Sequence, residues 1–433
     1  MGDLEKISLG LSFNLGDETM KAKHNRLNRR NFLKSVGAAG LGSVLATGGC
    51  TEGKQKLAAT KYPQVPRRTL GWTGEKIPCV GLGTVFDMTN KQHVLDGSLE
   101  YGMDYWDTAT NYGRTKSQLG IGQYLGKHPE VRKRLFLISK PVDLETPLPV
   151  VAEFDEDIAE SMERLKTDYF DVYCAVHGLS SPAQLTGELK KWAEKCKKRG
   201  LFKYIGYSAH ENMAQGLRAA VKCGWIDVAL VAYNFQFMQD DDYQRAIDSA
   251  YEAGIGLIAI KTQRKVTLDP MPIETAEDRK LTDHFLQKGF TAGQAKLKVV
   301  LEDERFAAAA VGIDDVGILT ANVAAAIDKT KLGKDDKAAL AEYARATCNR
   351  YCMGCGHICR LAVPDMPHVC SIMRYMMYYN SYGHRDRARE HFARIPKDVR
   401  KRLLSVDYGP AEARCPQRLP IGKIIADAVS KLA

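Results

Sequence analysis

The chain has 433 residues, of which 45% are hydrophobic, and a formal net charge of +10 at pH 7. This length exceeds that of one small domain and suits a large domain with an extra module, and the hydrophobic fraction is that of a globular protein with a large buried core. Residues 341–433 carry sixteen Lys or Arg against eight Asp or Glu, but no nucleic-acid-binding motif accompanies this charge, and we expect no nucleic-acid partner.

Residues 1–50 have the features of an export signal. A basic run, 28–34, contains paired arginines, and a mild apolar run, 35–49, follows it. The apolar run is too short and too rich in glycine to span a membrane as a helix. The segment resembles a twin-arginine signal, which implies the twin-arginine export machinery as a partner and a periplasmic or membrane-anchored lipoprotein location. The small residues before Cys50 suit a lipid anchor there, with ordinary signal cleavage as the alternative.

The folded part is predicted to begin at Arg67, after a linker of residues 51–66. Turn glycines between short apolar runs predict a hairpin over 68–74. We expect a barrel domain over 67–340 and a cysteine-rich extension over 341–433.

From Val80 onward, strand-like apolar runs alternate with amphipathic helical stretches such as 153–165, 183–198 and 241–253. The predicted strands are 80–84, 103–109, 135–140, 170–177, 204–208, 228–233, 256–261 and 308–313. Eight such repeats over about 260 residues predict an α/β fold of the (β/α)8 TIM-barrel class. A doubly wound sheet is the alternative, but it would place a third glycine after Gly81 and Gly83, and this glycine is missing.

The stretch 103–113 joins the second predicted strand to a polar loop. Asp107 at the strand end and Tyr112 on the loop would face one pocket, at the end where such barrels keep their chemistry. Lys140 and His177 end the third and fourth predicted strands. Each of these residues alone would be an ordinary structural feature. In this order, and with the local sequence D-T-A-x-x-Y-G, they resemble the catalytic signature of the aldo/keto reductases.

The resemblance implies an enzyme that interconverts a carbonyl and an alcohol, acting on a small substrate. Carbonyl reduction needs a hydride at carbon, which no side chain supplies, and a proton at oxygen. Tyr112 is expected to donate the proton, and Lys140, held charged by Asp107, to lower the pKa of that phenol. His177 is expected to hydrogen-bond the substrate oxygen.

The same resemblance implies a set of residues that bind NAD or NADP. These are Gly83, Thr84, Ser208, Asn234, Lys261 and Asn322. The family usually presents Lys or Arg to the adenosine phosphate after the eighth strand, where this chain has Asp314 and Asp315. The choice between NAD and NADP therefore stays open.

Six of the eleven cysteines lie between Cys348 and Cys415, which favours a metal or iron–sulfur site over a disulfide framework. Three of them form a C-x2-C-x3-C pattern, and a Cys-Pro pair follows downstream. The arrangement resembles the iron–sulfur branch of the aldo/keto reductases, which implies one [4Fe–4S] cluster. The implied ligands are Cys352, Cys355, Cys359 and Cys415. Zinc is the alternative metal. Cys348 or Cys370 could replace one ligand, and Cys348 is the preferred replacement.

The leading hypothesis is an exported oxidoreductase whose cluster relays electrons, with a redox protein as a possible partner, or stabilises the tail. The alternatives are an iron–sulfur electron-transfer protein and a non-catalytic binding barrel, neither of which would turn over nicotinamide. Because free NAD(P)H is not expected outside the cytoplasmic membrane, we predict that any nicotinamide is bound before export and retained.

Overall fold

The computed structural model describes residues 62–142, 151–263, 268 and 274–433. The predicted export signal, with Cys50, lies outside the described residues, and so does most of the predicted linker. In the described part of the chain, no helix is both long enough and apolar enough to cross a membrane.

Eight parallel strands close into a barrel, so the predicted (β/α)8 fold is confirmed. A short hairpin, β1 and β2, precedes them. The strands are β1 Arg67–Thr69, β2 Lys76–Pro78, β3 Val80–Gly83, β4 Tyr105–Asp107, β5 Phe136–Ser139, β6 Phe170–His177, β7 Phe202–Ala209, β8 Val228–Ala232, β9 Gly256–Ile260 and β10 Phe306–Gly312. Strands β3 to β9 pair in sequence order, and β10 closes the ring between β9 and β3.

The barrel strands form because their residues are buried on both faces, as helices cover a parallel barrel from outside. All eight residues of β6 are buried. Its one carboxylate, Asp171, accepts a hydrogen bond from Arg132 at 3.1 Å and pairs with Lys203 at 2.8 Å. A charge inside the strand is tolerated because both partners compensate it.

Helices alternate with the strands and continue beyond them. In the barrel part they are Gln92–Glu100, Lys116–Lys127, Val151–Leu165, Gly187–Lys198, Met213–Cys223, Asp241–Glu252, Ala276–Leu286, Ala292–Leu301, Val316–Ile327 and Lys334–Ala346. After it they are Gly356–Ala362, Val369–Asn380, Arg385–Arg394, Lys397–Arg402, Gly409–Arg414 and Ile421–Leu432.

The predicted helix 183–198 is wrong at its start. A short 3-10 turn, Pro182–Gln184, comes first, and the α-helix begins at Gly187. The side chain of Thr186 accepts a hydrogen bond from the Leu189 amide at 3.1 Å and so caps a new helix.

The hairpin closes the barrel at the amino ends of its strands. Leu70 and Ile77 are fully buried and pack in one cluster with Tyr105 and Phe136, the first residues of β4 and β5. The opposite, carboxyl end of the strands is therefore the open end, where the polar residues lie.

The helices after residue 355 have a hydrophobic core of their own. Met366, Ile372, Met376, Phe392 and Ile425 are buried in it. The barrel and these helices nevertheless belong to one compact unit. We call residues 347–433 the extension.

Candidate active site and cysteine cavity

The structure brings the four predicted catalytic residues to one rim of the barrel. Asp107 and His177 are the last residues of β4 and β6, and Lys140 directly follows β5. Tyr112 lies on the turn after β4. These residues meet because the carboxyl ends of parallel strands share one end of a closed barrel.

A buried ion pair stands at the base of this group. The Lys140 Nζ donates to Asp107 Oδ1 at 2.6 Å and to the Thr108 carbonyl at 2.9 Å. Both charged side chains are almost fully buried. The same Nζ lies 5.1 Å from the centroid of the Tyr112 ring. A buried cation is thus held beside the phenol.

His177 stands against the other side of the phenol ring. The two ring centroids are 5.9 Å apart in an edge-to-face arrangement. The Nδ1 of His177 lies 2.8 Å from the Pro141 carbonyl oxygen, which can only accept, so Nδ1 carries a proton. In the neutral ring Nε2 is then a hydrogen-bond acceptor, which suits the hydroxyl group of an alcohol.

The pKa of Tyr112 differs from the sequence-based expectation. Burial raises it to about 12, and this outweighs the lowering by Lys140 and the smaller lowering by Arg387. Lys140 itself stays charged, because Asp107 and Tyr112 raise its pKa against the effect of burial. Lys140 therefore acts in the predicted direction, but desolvation of the phenol is the larger effect.

A cleft of about 1990 Å³, open to solvent, lies above the four residues. The barrel rim forms one side of it, including Asp107, Tyr112 and His177. The extension forms the facing side, with Arg374, Tyr378, Tyr382, His384 and Arg387.

The sequence did not identify these extension residues, because their place depends on how the tail folds back over the barrel. His210, on the barrel side, was also missed, although it stands only two residues after Ser208. A histidine directly after a strand end was the local signal for it.

Two of the six predicted cofactor residues, Gly83 and Lys261, line this cleft. The other four are buried next to the cleft, and their side chains form hydrogen bonds with residues around it. Thr84 donates to the Asp107 carbonyl at 2.8 Å, and the Ser208 hydroxyl accepts from the Gly178 amide at 3.3 Å. Asn234 donates to the Lys261 carbonyl at 3.1 Å.

Asn322 is buried behind a residue of the cleft wall and carries an unsatisfied donor. Its Oδ1 accepts at 2.8 Å from Gln263, a residue of the cleft wall. Its Nδ2 is buried and has no hydrogen-bond partner among the described residues. Buried donors are normally satisfied, so this unpaired amide group is an exception among the residues around the cleft.

The two acidic residues after β10 have different roles. Asp315 caps the following helix by accepting from the Gly317 amide at 2.6 Å. Asp314 lines the cleft, and its carboxylate lies 3.7 Å from the Lys91 Nζ. The negative charge facing the cleft is therefore partly compensated.

A second, much smaller cavity lies within the extension. Five cysteines line it: Cys352, Cys355, Cys359, Cys370 and Cys415. Apolar side chains complete its wall, among them Val369, Met373 and Leu419. All four predicted ligands are thus brought together. Cys370 is the fifth, and Cys348, the preferred replacement from sequence, does not line the cavity.

The thiols are close enough to influence one another. Burial, followed by the charges of Cys352, Cys359 and Cys415, raises the pKa of Cys355. Within the described ranges, however, no three His, Cys, Asp or Glu side chains form a group that could hold a metal ion.

The two cavities share a wall. Cys352 and Cys370 line both the cysteine cavity and the barrel cleft. The loop between Cys352 and Cys355 also contacts the barrel, since the Gly354 carbonyl accepts a hydrogen bond from the Asn212 amide at 2.6 Å. Gly354 has a φ of +75°, and a Cβ there would lie 2.2 Å from the His210 carbonyl oxygen. Glycine is therefore required both for the turn and for the close approach.

The aldo/keto reductase family matches residues 78–326 of the chain. An L-galactose dehydrogenase of Arabidopsis thaliana is 24% identical over 294 residues, which cover 63% of this chain and 92% of that protein. An aldo-keto reductase of Gibberella moniliformis is 29% identical over 210 residues, which cover 46% of this chain and 60% of that protein.

Among solved structures, an aldo-keto reductase from Bacillus halodurans in its holo form superposes with a TM-score of 0.53. It is 21% identical and covers 65% of this chain and 96% of its own. This likeness concerns the fold. The family match ends before the extension, so the cysteine cavity and the facing side of the cleft lie outside it.

Proposed function

The chain belongs to the aldo/keto reductase family, and from this we propose that it interconverts a carbonyl compound and an alcohol with a nicotinamide dinucleotide. Family membership makes it an oxidoreductase. The observation that carries the finer proposal is the convergence of Tyr112, Lys140, Asp107 and His177 at the bottom of one cleft. A phenol, a buried ion pair and an imidazole are groups suited to moving a proton at a carbonyl oxygen.

Each of these side chains has a distinct part in the proposed reaction. Tyr112, protonated at neutral pH, donates its hydroxyl proton to the carbonyl oxygen, and Lys140 stabilises the phenolate left behind. Asp107 keeps Lys140 charged and in place. In the reverse direction, the neutral His177 accepts a hydrogen bond from the alcohol through Nε2. A second proton on the ring would let it donate to the carbonyl.

The cleft fits a dinucleotide in two respects. It extends from Tyr112 to Gly312 and Asp314, so one ligand could touch both the reacting end and the rim after β10. Next to the cleft wall, Gln263 donates to Asn322, whose Nδ2 has no hydrogen-bond partner among the described residues. When bound, the nicotinamide supplies the hydride that no side chain provides. Gly83 and Lys261 of the cleft wall would contact the dinucleotide. Asn322 would act on it through Gln263, the wall residue to which it is hydrogen-bonded.

The test is to titrate the purified full chain with NADH and NADPH and then add a panel of carbonyl compounds. We expect one dinucleotide to bind with a Kd in the micromolar range or below and to be oxidised only when a carbonyl is present. A chain that binds neither dinucleotide would contradict this function and favour an electron-transfer or binding role for the barrel.

We also propose a [4Fe–4S] cluster held by Cys352, Cys355, Cys359 and Cys415. A single zinc ion needs four donors about 2.0–2.3 Å from one point. Here the four thiols line one apolar cavity together with a fifth, and soft thiolate ligands suit an iron–sulfur cluster. Cys370, the fifth thiol, forms a hydrogen bond with Cys352, which lowers the pKa of Cys352 and raises that of Cys370.

The cluster would be positioned for electron transfer to the barrel. When bound, it supplies one-electron chemistry. Cys352 belongs to both cavities, so a ligand in the cleft would lie one side chain away from the cluster site. This contact supports a relay role, in addition to the structural role of joining the cysteine-bearing helices.

Finally, we propose that the protein is exported by the twin-arginine route. What supports this is the sequence of residues 28–49 together with the clustered thiolates, since that route carries folded proteins and a cluster must be assembled where iron and sulfide are supplied. Lipidation at Cys50 is a part of this proposal that mass measurement of the mature amino terminus would test.

A further inference from the structure

We propose that the substrate carries a carboxylate close to its reacting carbonyl, and that Arg387 of the extension binds that carboxylate. The inference depends on the proposed function only in taking the cleft beside Tyr112 as the substrate site. It adds a substrate class and a specificity-determining residue that the barrel alone does not contain.

Arg387 reaches the reacting end of the cleft from the helix Arg385–Arg394. Its guanidinium carbon lies 5.9 Å from the centroid of the Tyr112 ring and 5.1 Å from that of Tyr378. At this distance it is one of the charges that lower the pKa of Tyr112, after the larger effects of burial and of Lys140. A cation so close to the proton donor can hold an anionic group of a molecule whose carbonyl faces that donor.

The guanidinium retains donors for a ligand. Its Nε donates to the His391 Nε2 at 3.3 Å, which orients the group. Among the residues that the structure describes, no carboxylate forms an ion pair with Arg387. The nearest acids on its own helix, Asp386 and Glu390, lie 2.9 Å and 3.5 Å from Arg114 instead.

The acidic residues of the cleft are also compensated. Asp107 pairs with Lys140 at 2.6 Å, Asp314 with Lys91 at 3.7 Å and Glu211 with Arg360 at 3.8 Å. None of these carboxylates is paired with Arg387, so its positive charge faces the cleft.

A second cation adds to the field at this end. Lys261 has a left-handed backbone, with φ +59°, and its Nζ lies 5.9 Å from the Tyr378 ring and 3.4 Å from the Tyr382 hydroxyl. Tyr378 thus has Arg387 and Lys261 both within cation–π range of its ring. A cleft lined in this way concentrates anions.

The anionic oxygens could belong to a substrate carboxylate or to a phosphate of the dinucleotide. Two features favour the carboxylate. Arg387 lies beside the proton donor itself, with its guanidinium carbon 5.9 Å from the Tyr112 ring centroid. A guanidinium also presents paired donors that match a carboxylate in the same plane.

The test is equilibrium binding to the full-length holoprotein, without reduced dinucleotide so that no turnover occurs. The probes are 2-oxobutyrate and phenylpyruvate, each compared with its methyl ester. We expect Arg387→Met to weaken binding of both acids by about 10- to 100-fold, the range of one charge-assisted contact, and to leave the esters unchanged. Arg387→Lys should recover part of the loss.

The matched control is Arg394→Met, which removes the same charge from an exposed site on the same helix that lines neither cavity. It should bind the acids as the wild type does. Equal weakening in both variants, or wild-type protein that binds neither acid, would overturn the proposal.

NADP+ titrated into the same variants separates the two anion sources. If Arg387→Met weakens NADP+ and leaves the 2-oxo acids unchanged, the cation serves the cofactor and the inference is wrong. If wild-type protein binds the acids through Arg387 but binds no dinucleotide, the inference stands and the proposed nicotinamide function fails.

Discussion

Burial holds the proton on Tyr112 more strongly than the neighbouring cations release it. The phenol has a pKa raised to about 12, although Lys140 and Arg387 both act to lower it. A group in this state is a proton donor throughout the neutral range. It becomes a base only when something further stabilises its phenolate.

The first prediction removes this donor. Tyr112→Phe keeps the ring that packs against His177 and deletes the hydroxyl. Carbonyl reduction should fall by about 10²-fold or more, because a positioned acid contributes about 10²–10⁴, while dinucleotide affinity stays within about twofold. Steady-state kinetics and a fluorescence titration measure the two effects. Reduction at the wild-type rate would remove Tyr112 from the mechanism.

The second prediction concerns pH. Because the pKa of Tyr112 is raised, its acid form is fully populated below about pH 10, so reduction should show no loss from this group between about pH 6 and pH 9. Alcohol oxidation needs the phenolate, whose fraction rises about tenfold per pH unit below the pKa. Oxidation should therefore accelerate with pH across that range. A plateau above about pH 7 would indicate a different base.

The meeting of the four candidate catalytic residues at one rim was predictable because each stands at or just after a strand end within a short, distinctive sequence. The orientation of the residues around them was not predictable. Thr84, Ser208 and Asn234 come from the same strand ends, but their side chains bond to neighbouring backbone and do not line the cleft. Which way a residue at a strand end faces depends on register and on its neighbours, and a single sequence does not specify these.

At the level of elements, continuous apolar runs located all eight barrel strands to within a few residues. Helix starts were less secure where a side-chain cap decides them, as Thr186 does. The contacts between the extension and the barrel were the largest feature that the sequence did not predict. The cysteine pattern of the extension indicated a site, but these contacts come from long-range packing. Arg114 pairing with Asp386, for example, joins residues 272 positions apart.

The third prediction compares two cysteines of this extension. Anaerobically purified wild type should contain about four iron and about four sulfide ions per chain, as a cubane cluster requires. Cys415→Ser removes a proposed ligand and should lower both contents. Cys370→Ser, a matched change in the same cavity, should keep the iron and shift the reduction potential, because a hydroxyl replaces the thiol beside Cys352. One zinc and no sulfide would contradict the cluster.

At the scale of the whole molecule, the proposed export and the proposed nicotinamide chemistry make opposing demands. A protein outside the cytoplasmic membrane has no supply of free NAD(P)H, so an exchangeable cofactor would leave the catalytic residues without reductant. The extension covers one side of the cleft, with Tyr378 and Tyr382 in its wall. This cover would slow the escape of a ligand bound beneath it.

The fourth prediction follows. Exported protein, purified and then denatured, should release close to one nicotinamide dinucleotide per chain, bound with a Kd well below micromolar, beyond about −8 kcal/mol. Absorbance and enzymatic assay of the supernatant measure it. The control is a variant in which lysines replace the arginine pair at residues 29 and 30, so that the protein matures in the cytoplasm. An empty exported barrel that takes up no dinucleotide would end the retention proposal.

The side of the cleft that carries Arg387 is synthesised after the barrel. The family match is complete by residue 326, whereas the wall is encoded after it. Synthesis runs from the amino end, and domains begin to fold as they emerge. The ribosome therefore finishes a barrel with its rim uncovered before it reaches the part that we propose to bind the substrate carboxylate. A chain cut short in the extension would keep the chemistry of the family and lose its selectivity, so truncation would create a less discriminating enzyme and not merely a weaker one.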